Sequence, residues 1–214
     1  MKFVAISDTH GKHHLLTLPE GDILVHAGDI SSRGTEYEIR MFLDWFAGLD
    51  FKYKIFIAGN HDFYLERTEK HKIDAILPDG VIYLNDSGIL IEDLYIWGSP
   101  VTPWFYDWAF NRQRGSEIKK HWDLIPNDTD IIITHGPAYG ILDRTIRNLN
   151  VGCEELKEKI EEVKPKIHIC GHIHEDYGCT VSSETRYINA SVLNFSYEFE
   201  NDPVSFILSH STLC

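Results

Sequence analysis

Lys2-Phe3-Val4-Ala5-Ile6-Ser7-Asp8-Thr9-His10 opens as a short apolar run and ends in side chains that bind metals or move protons. The same unit recurs four times. Ile23-Leu24-Val25-His26 runs into Ala27-Gly28-Asp29, and Ile55-Phe56-Ile57 into Ala58-Gly59-Asn60-His61-Asp62. Residues 130–133 lead into Thr134-His135-Gly136-Pro137, and residues 167–170 into Gly171-His172-Ile173-His174. Continuous β-branched runs of this kind predict strands covered on both faces. Further strands are expected at residues 81–84 and 95–97. Between them Ile39, Phe42, Leu43 and Phe46 recur at helical spacing, with Thr35 as the N-cap and Gly48 as the stop. Leu156, Ile160 and Val163 mark a second helix, supported by a Glu155–Lys159 i,i+4 pair and limited by Pro165. After Tyr177, residues 179–182, 186–188 and 204–208 read as successive strands without helices between them. Alternating strands and helices predict one α/β domain over residues 1–214, closing in an antiparallel β section.

The composition bounds what such a domain does. Thirty-three acidic against 20 basic residues give a formal charge of −13, which argues against an extended nucleic-acid track. It leaves room for a small phosphate substrate, because bound divalent cations reverse the field locally. Cys153, Cys170, Cys179 and Cys214 show no paired spacing and read as reduced thiols. No apolar run approaches the roughly 20 residues needed to span a bilayer, and no charged-then-apolar leader precedes the first strand. A cytoplasmic protein without a membrane partner is the expectation, and a homodimer is compatible with it.

Chemistry collects where the strands end. In open α/β sheets ligands bind at the carboxyl ends of strands, and glycine there lets backbone approach a ligand closely. Asp8 and His10, two apart on a nearly extended segment, are expected on one side, and His172 and His174 repeat the spacing. Carboxylate, carboxamide and imidazole suit hard-to-borderline divalent metals. Seven candidate ligands, Asp8, His10, Asp29, Asn60, His135, His172 and His174, exceed the needs of one four-coordinate ion. Two divalent metal ions sharing a carboxylate are therefore expected, with Mn favoured and Fe, Zn, Co or Ni admitted.

The ordered set Asp8-x-His10, Gly28-Asp29, Gly59-Asn60-His61-Asp62, His135 and Gly171-His172-x-His174 resembles the calcineurin-like metallophosphoesterase superfamily over about the first 175 residues. The resemblance implies two facing mixed β-sheets flanked by helices, a four-layer α/β/β/α sandwich. It assigns Asp8, His10, Asp29 and His174 to one metal, with Asp29 bridging to a second held by Asn60, His135 and His172. It implies attack on phosphorus by a metal-bridging hydroxide, with His61 as the catalytic histidine that protonates or stabilises the leaving oxygen and Asp62 orienting its ring. Residues 53–61, 97–100, 102–105, 134–137 and 171–178 are also similar to the animal metallophosphoesterase-domain proteins of brain, near the class III cyclic-nucleotide phosphodiesterases. Those animal proteins carry glycine where this chain has His172, which weakens their site. A filled position implies a fully active enzyme here.

Other features are read both ways. Trp104, Phe105, Tyr106, Trp108 and Phe110 crowd one loop, followed by Asn111, and serve either as packing or as a wall that stacks a base while a polar group contacts phosphate or ribose. Arg33 follows Gly28-Asp29 in a segment resembling the Gly-Asp-x-x-Asp-Arg-Gly motif of phosphoprotein phosphatases, with Ser32 in place of the second aspartate. It either grips a phosphoryl oxygen or forms a surface salt bridge. His13, His14, His71, His121 and His210 are expected at the surface, and His26 and His168 buried. The favoured reading is hydrolysis of small phosphodiesters, 2′,3′- or 3′,5′-cyclic nucleotides included. The alternatives are a phosphomonoesterase or phosphoprotein phosphatase, and a nuclease acting on DNA or RNA ends.

Overall fold

The computed structural model describes residues 1–208, so His210 and Cys214 lie outside the described residues. In chain order come β1 (Lys2–Ile6), β2 (Ile23–Ala27), α1 (Glu36–Ala47), β3 (Tyr53–Ile57), α2 (Phe63–Arg67), α3 (Lys70–Asp74) and β4 (Val81–Tyr83). Then follow β5 (Ser87–Ile91), β6 (Leu94–Ser99), β7 (Thr102–Pro103), β8 (Asn111–Arg112), α4 (Ser116–Trp122) and β9 (Ile131–Thr134). The described chain finishes with α5 (Glu154–Val163), β10 (Ile167–Cys170), β11 (Gly178–Ser182), β12 (Thr185–Asn189) and β13 (Val204–Ile207). Among the described residues, no helix is long and apolar enough to cross a membrane.

Two large mixed sheets face each other. The first has the order β13-β1-β2-β3-β4 and the second β11-β12-β10-β9-β6-β5, while β7 and β8 form a separate pair. Strand alternation sends Phe3 and Ala5 inward, against Ile96, Ile131, Ile133 and Ile169 of the second sheet. Val4, Ile6, Leu24 and Phe56 point outward beneath Ile39, Phe42, Leu43 and Phe46 of α1. On the opposite flank Trp97, Ile132 and Tyr187 meet Ile118 and Trp122 of α4 and Leu156 and Ile160 of α5. The result is the α/β/β/α layering, and it explains the continuous apolar runs: each central strand is covered on both faces.

Some expectations need correction. The closing strands are not one antiparallel section: β12 runs parallel to β10, β11 antiparallel to β12, and β13 returns to pair antiparallel with β1 in the other sheet. Strand β5 and helices α2, α3 and α4 were not expected, and the shortest of these are too short to show a period. The Glu155–Lys159 pair is replaced, because Lys159 reaches Glu162 at 3.0 Å while Glu155 accepts the Gly115 amide. His13 is buried against Trp45 and Phe42 rather than exposed, and burial followed by the neighbouring His14 lowers its pKa to about 4. His14 and His71 are exposed as read, whereas His121 is half-buried and pairs with Asp86 at 2.7 Å.

Helix α1 begins in a capping box. Thr35 Oγ1 accepts the Glu38 amide at 3.3 Å, and the Glu38 carboxylate accepts the Thr35 amide at 3.0 Å. Its Phe42 is fully buried and touches the rings of Phe46, Phe56, Trp45 and His26. Phe42→Ala should cost about 3–5 kcal/mol, the usual range for emptying a buried aromatic site. Urea titration checks this: the midpoint should fall with an unchanged slope.

Candidate metal centre

Eight side chains meet at the carboxyl ends of five strands. The first sheet supplies Asp8 and His10 after β1, Asp29 after β2, and Asn60 and His61 after β3; the second supplies His135 after β9 and His172 and His174 after β10. The backbone there is not extended, contrary to the expectation for Asp8-x-His10. Asp8, His10, Asp29 and His172 have φ of 56°, 43°, 54° and 69°, the left-handed region that non-glycine residues seldom adopt. Such residues persist only where their surroundings determine them. Here Asp8 donates its amide to the Gly28 carbonyl and His10 to the Asp29 carbonyl, each at 3.0 Å. Close approach also explains two glycines. A Cβ on Gly28 would stand 2.5 Å from His135 Nδ1, and one on Gly59 2.3 Å from Asp29 Oδ1.

The donor atoms form three overlapping groups, each within 4.8 Å: Asp8 with His10 and His174, His10 with Asp29 and His61, and Asp29 with His135 and His172. Asn60 Oδ1 lies 2.9 Å from His135 Nε2. His172 and His174 therefore join different groups, because the chain turns at His172 and enters a short 3₁₀ turn at His174. Carbonyls fix the rings: His135 Nδ1 donates to Ala27 at 2.9 Å and His174 Nδ1 to Asn194 at 3.0 Å, so both Nε2 atoms face the cluster. Asp8 Oδ2 accepts from Ser191 Oγ at 2.7 Å and the His172 amide at 2.9 Å, while Asp8 Oδ1 is buried without a hydrogen-bond partner. A buried carboxylate oxygen with no hydrogen bond, 3.5 Å from His174 Nε2 among converging imidazoles, fits divalent cations.

Electrostatics point the same way. Burial opposes charge on His135 and His174, but Asp29 beside the first and Asp8 beside the second push both up to about 9. Burial, then the charge of His135, lowers His172 to about 3, and burial lowers His10 to about 4 despite Asp29.

His61 lies with its Nε2 4.0 Å from Asp29 Oδ2 and its Nδ1 donating to the Ser32 carbonyl at 2.9 Å. Asp62 does not orient this ring. Its carboxylate accepts the amides of Ile30, Ser31 and Gly59 and the Ser31 hydroxyl, tying together the loops after β2 and β3. Burial and then the Asp29 charge raise Asp62 to about 7. Trp108 stacks on His61 with ring centroids 4.4 Å apart, and Phe105 meets His172 at 5.3 Å, whereas Trp104 is largely exposed. Asn111 serves the loop itself, accepting the Phe105 amide at 2.9 Å and donating to Thr102 Oγ1 at 2.8 Å and the Ala109 carbonyl at 3.3 Å, so its amide is not free for substrate. Arg33 is exposed, next in sequence to the Ser32 whose carbonyl holds His61, and its side chain has no carboxylate partner among the described residues. Residue types alone did not reveal three neighbours of the cluster: the Ser32 carbonyl, Ser191, and Tyr197, whose ring abuts His10 and His174 at 4.8 and 5.3 Å. His26, a buried residue of β2 whose ring meets Phe42 of α1, bonds Thr9 Oγ1 at 2.9 Å.

A shared buried carboxylate between two histidine-rich groups, set at one end of two facing sheets, defines a metal-dependent phosphoesterase. The chain belongs to the calcineurin-like phosphoesterase family, whose profile matches residues 1–176. It is 39% identical over 227 aligned positions to human metallophosphoesterase domain-containing protein 1, covering 95% of this chain and 69% of that protein. A probable glycerophosphodiester phosphodiesterase of Arcobacter nitrofigilis is 26% identical, over 73% of this chain and 58% of its own length. Among solved structures, phosphopantetheinyl hydrolase of Mycobacterium tuberculosis shares the fold at a TM-score of 0.61 and 16% identity, with 89% of each chain covered.

An imidazolium does not ligate a cation, so metal must displace the protons that Asp29 and Asp8 retain on His135 and His174. Apparent Mn²⁺ affinity of the chelator-stripped protein should rise with pH up to about 9, with protons released on binding. Calorimetry in two buffers of different ionisation enthalpy measures that release; a pH-independent affinity would contradict it.

Proposed function

We propose that this phosphoesterase hydrolyses small phosphodiesters, with 2′,3′- and 3′,5′-cyclic nucleotides as the favoured substrates. The observation that carries the reading is a cavity of about 340 Å³ beside His172, walled by Pro103, Phe105, Pro137, Val151 and Ile173. Its cationic side chain, Arg114, is already engaged by the carbonyls of Val151 and Gly152 and by Glu154. A monoester dianion finds no free guanidinium in that wall. The second substituent of a diester finds apolar cover, and a base finds the Phe105 ring to stack on. The similarity to a relative named as a phosphodiesterase supports the same reading.

In this proposal Asp8, His10, Asp29 and His174 hold one divalent ion, and Asn60, His135 and His172 hold a second, with Asp29 common to both. Bound there, the ions supply charge neutralisation at phosphorus and activate water as the nucleophile. Manganese is the favoured metal, and the cytoplasm, where separate thiols stay reduced, the favoured location. His61 presents Nε2 to the site because its Nδ1–H is donated to the Ser32 carbonyl; as the imidazolium it carries a second proton on Nε2, and that proton goes to the departing oxygen, leaving the neutral Nδ1–H ring. Arg33, exposed beside Ser32, is available to a non-bridging phosphoryl oxygen.

The Mn²⁺-loaded protein should cleave bis(p-nitrophenyl) phosphate and cyclic nucleotides in preference to p-nitrophenyl phosphate. Phe105→Ala should raise KM for cyclic nucleotides about tenfold, within the range for one lost base stack. Faster turnover of the monoester, with cyclic nucleotides untouched, would sink the proposal.

A further inference from the structure

The hydrogen bond that orients His61 comes from a main-chain carbonyl in an exposed loop, and no strand or helix contains Ser32. Something must hold that carbonyl still. On one side, Asp62 holds Ile30 and Ser31 through their amides. On the other, a single carboxylate does the work: Glu38 accepts the Ser32 amide at 3.1 Å, the Arg33 amide at 3.2 Å and the Thr35 amide at 3.0 Å. These bonds outweigh its partial burial and lower its pKa, so Glu38 stays charged at neutral pH. The loop is also pressed onto the catalytic segment, since a Cβ on Gly34 (φ 66°) would stand 2.4 Å from the His61 carbonyl.

We propose that Glu38 is a positioning residue for His61. Through the Ser32 and Arg33 amides it fixes the Ser32 carbonyl, which sets the rotation of the imidazole. A carbonyl only accepts, so this bond holds one proton on Nδ1 and turns Nε2, which carries the transferable second proton of the imidazolium, toward the departing oxygen. Trp108 covers one ring face but selects neither nitrogen. The bland role of Glu38 is the return bond of the α1 capping box. Thr35 shares that role and donates its hydroxyl to Glu38 Oε2 at 2.8 Å, but it makes no bond to Ser32 or Arg33, whose amides Glu38 accepts without it.

The inference rests on His61 acting as proton donor, and the test separates the two claims. In the metal-free protein, the His61 Nδ1–H proton should give a downfield NMR resonance that Glu38→Ala abolishes and Thr35→Ala retains. In the Mn²⁺-loaded protein, Glu38→Ala should lower kcat about tenfold on diphenyl phosphate, whose phenolate leaving group has a conjugate acid of pKa near 10 and needs a proton. With bis(p-nitrophenyl) phosphate, a better leaving group, kcat should stay within about twofold, and KM should hold for both. Thr35→Ala should lower the melting temperature and leave the ratio of the two rates unchanged. If Glu38→Ala keeps the resonance and the ratio, or if Thr35→Ala changes them equally, the positioning role is overturned. If His61→Ala shows no leaving-group dependence, the donor role falls and takes this inference with it. Dependence in His61→Ala without any in Glu38→Ala overturns the positioning role alone.

Discussion

Asp29 is the buried charge around which the rest of the site is arranged. Its Oδ2 lies 3.4 Å from His135, 3.6 Å from His10 and 4.0 Å from His61, and its Oδ1 accepts the His61 amide at 2.8 Å. Burial alone would favour the neutral acid. The His135 ring overrides that and holds the carboxyl below the usual range. A negative charge kept out of water must be balanced nearby, because little solvent screens it. Protons on His135 and His174 provide that balance without metal, and cations provide it when bound. The same donors thus serve two alternative charge states.

The location of this charge bears on stability as well as chemistry. Asp8, Asp29 and Asn60 belong to one sheet, His135, His172 and His174 to the other. Between the sheets the contacts are apolar and non-directional, with Ile131, Ile133 and Ile169 facing Ala5, Val25 and Ile57. Such packing sets a distance but tolerates small sliding. The polar groups at the strand ends do not: the His135–Ala27 and His172–Asp8 hydrogen bonds cross from sheet to sheet and fix how the layers align. Of the left-handed site residues, Asp8 and His10 are held within the first sheet by the Gly28 and Asp29 carbonyls, while the His172 amide is held across the sheets by Asp8.

Much of this was legible in residue order. Strands buried on both faces must be apolar throughout, so their ends stand out, and Asp, Asn and His at those ends advertise their chemistry. What residue types do not encode is backbone that leaves the extended path. The turn at His172 and the 3₁₀ turn that starts at His174 send these two histidines to different groups, which an extended reading would place together. A main-chain acceptor is equally silent: any residue at position 32 has a carbonyl, whereas the family resemblance points to the carboxylate of Asp62. The aromatic loop drew notice for its density, but composition could not say which ring faces inward. The internal bonds of Asn111 decide that, presenting Phe105 to His172 while Trp108 lies on His61.

That division of the aromatic rings matches the asymmetry of a diester. The cavity wall includes Phe105 and His172. Trp108 instead stacks on His61, whose imidazole is also met edge-on by His10 at 4.6 Å. Under the proposed diester reading, the group that receives the proton and the group that gains apolar cover would be served by different residues of one loop. In an acyclic diester these are two separate substituents. In a cyclic nucleotide, the proposed substrate, both ester oxygens belong to the same ribose, and the base alone would fill the cavity. A loop whose two ends serve chemistry and recognition separately can change its substrate at Phe105 without disturbing the residues around His61.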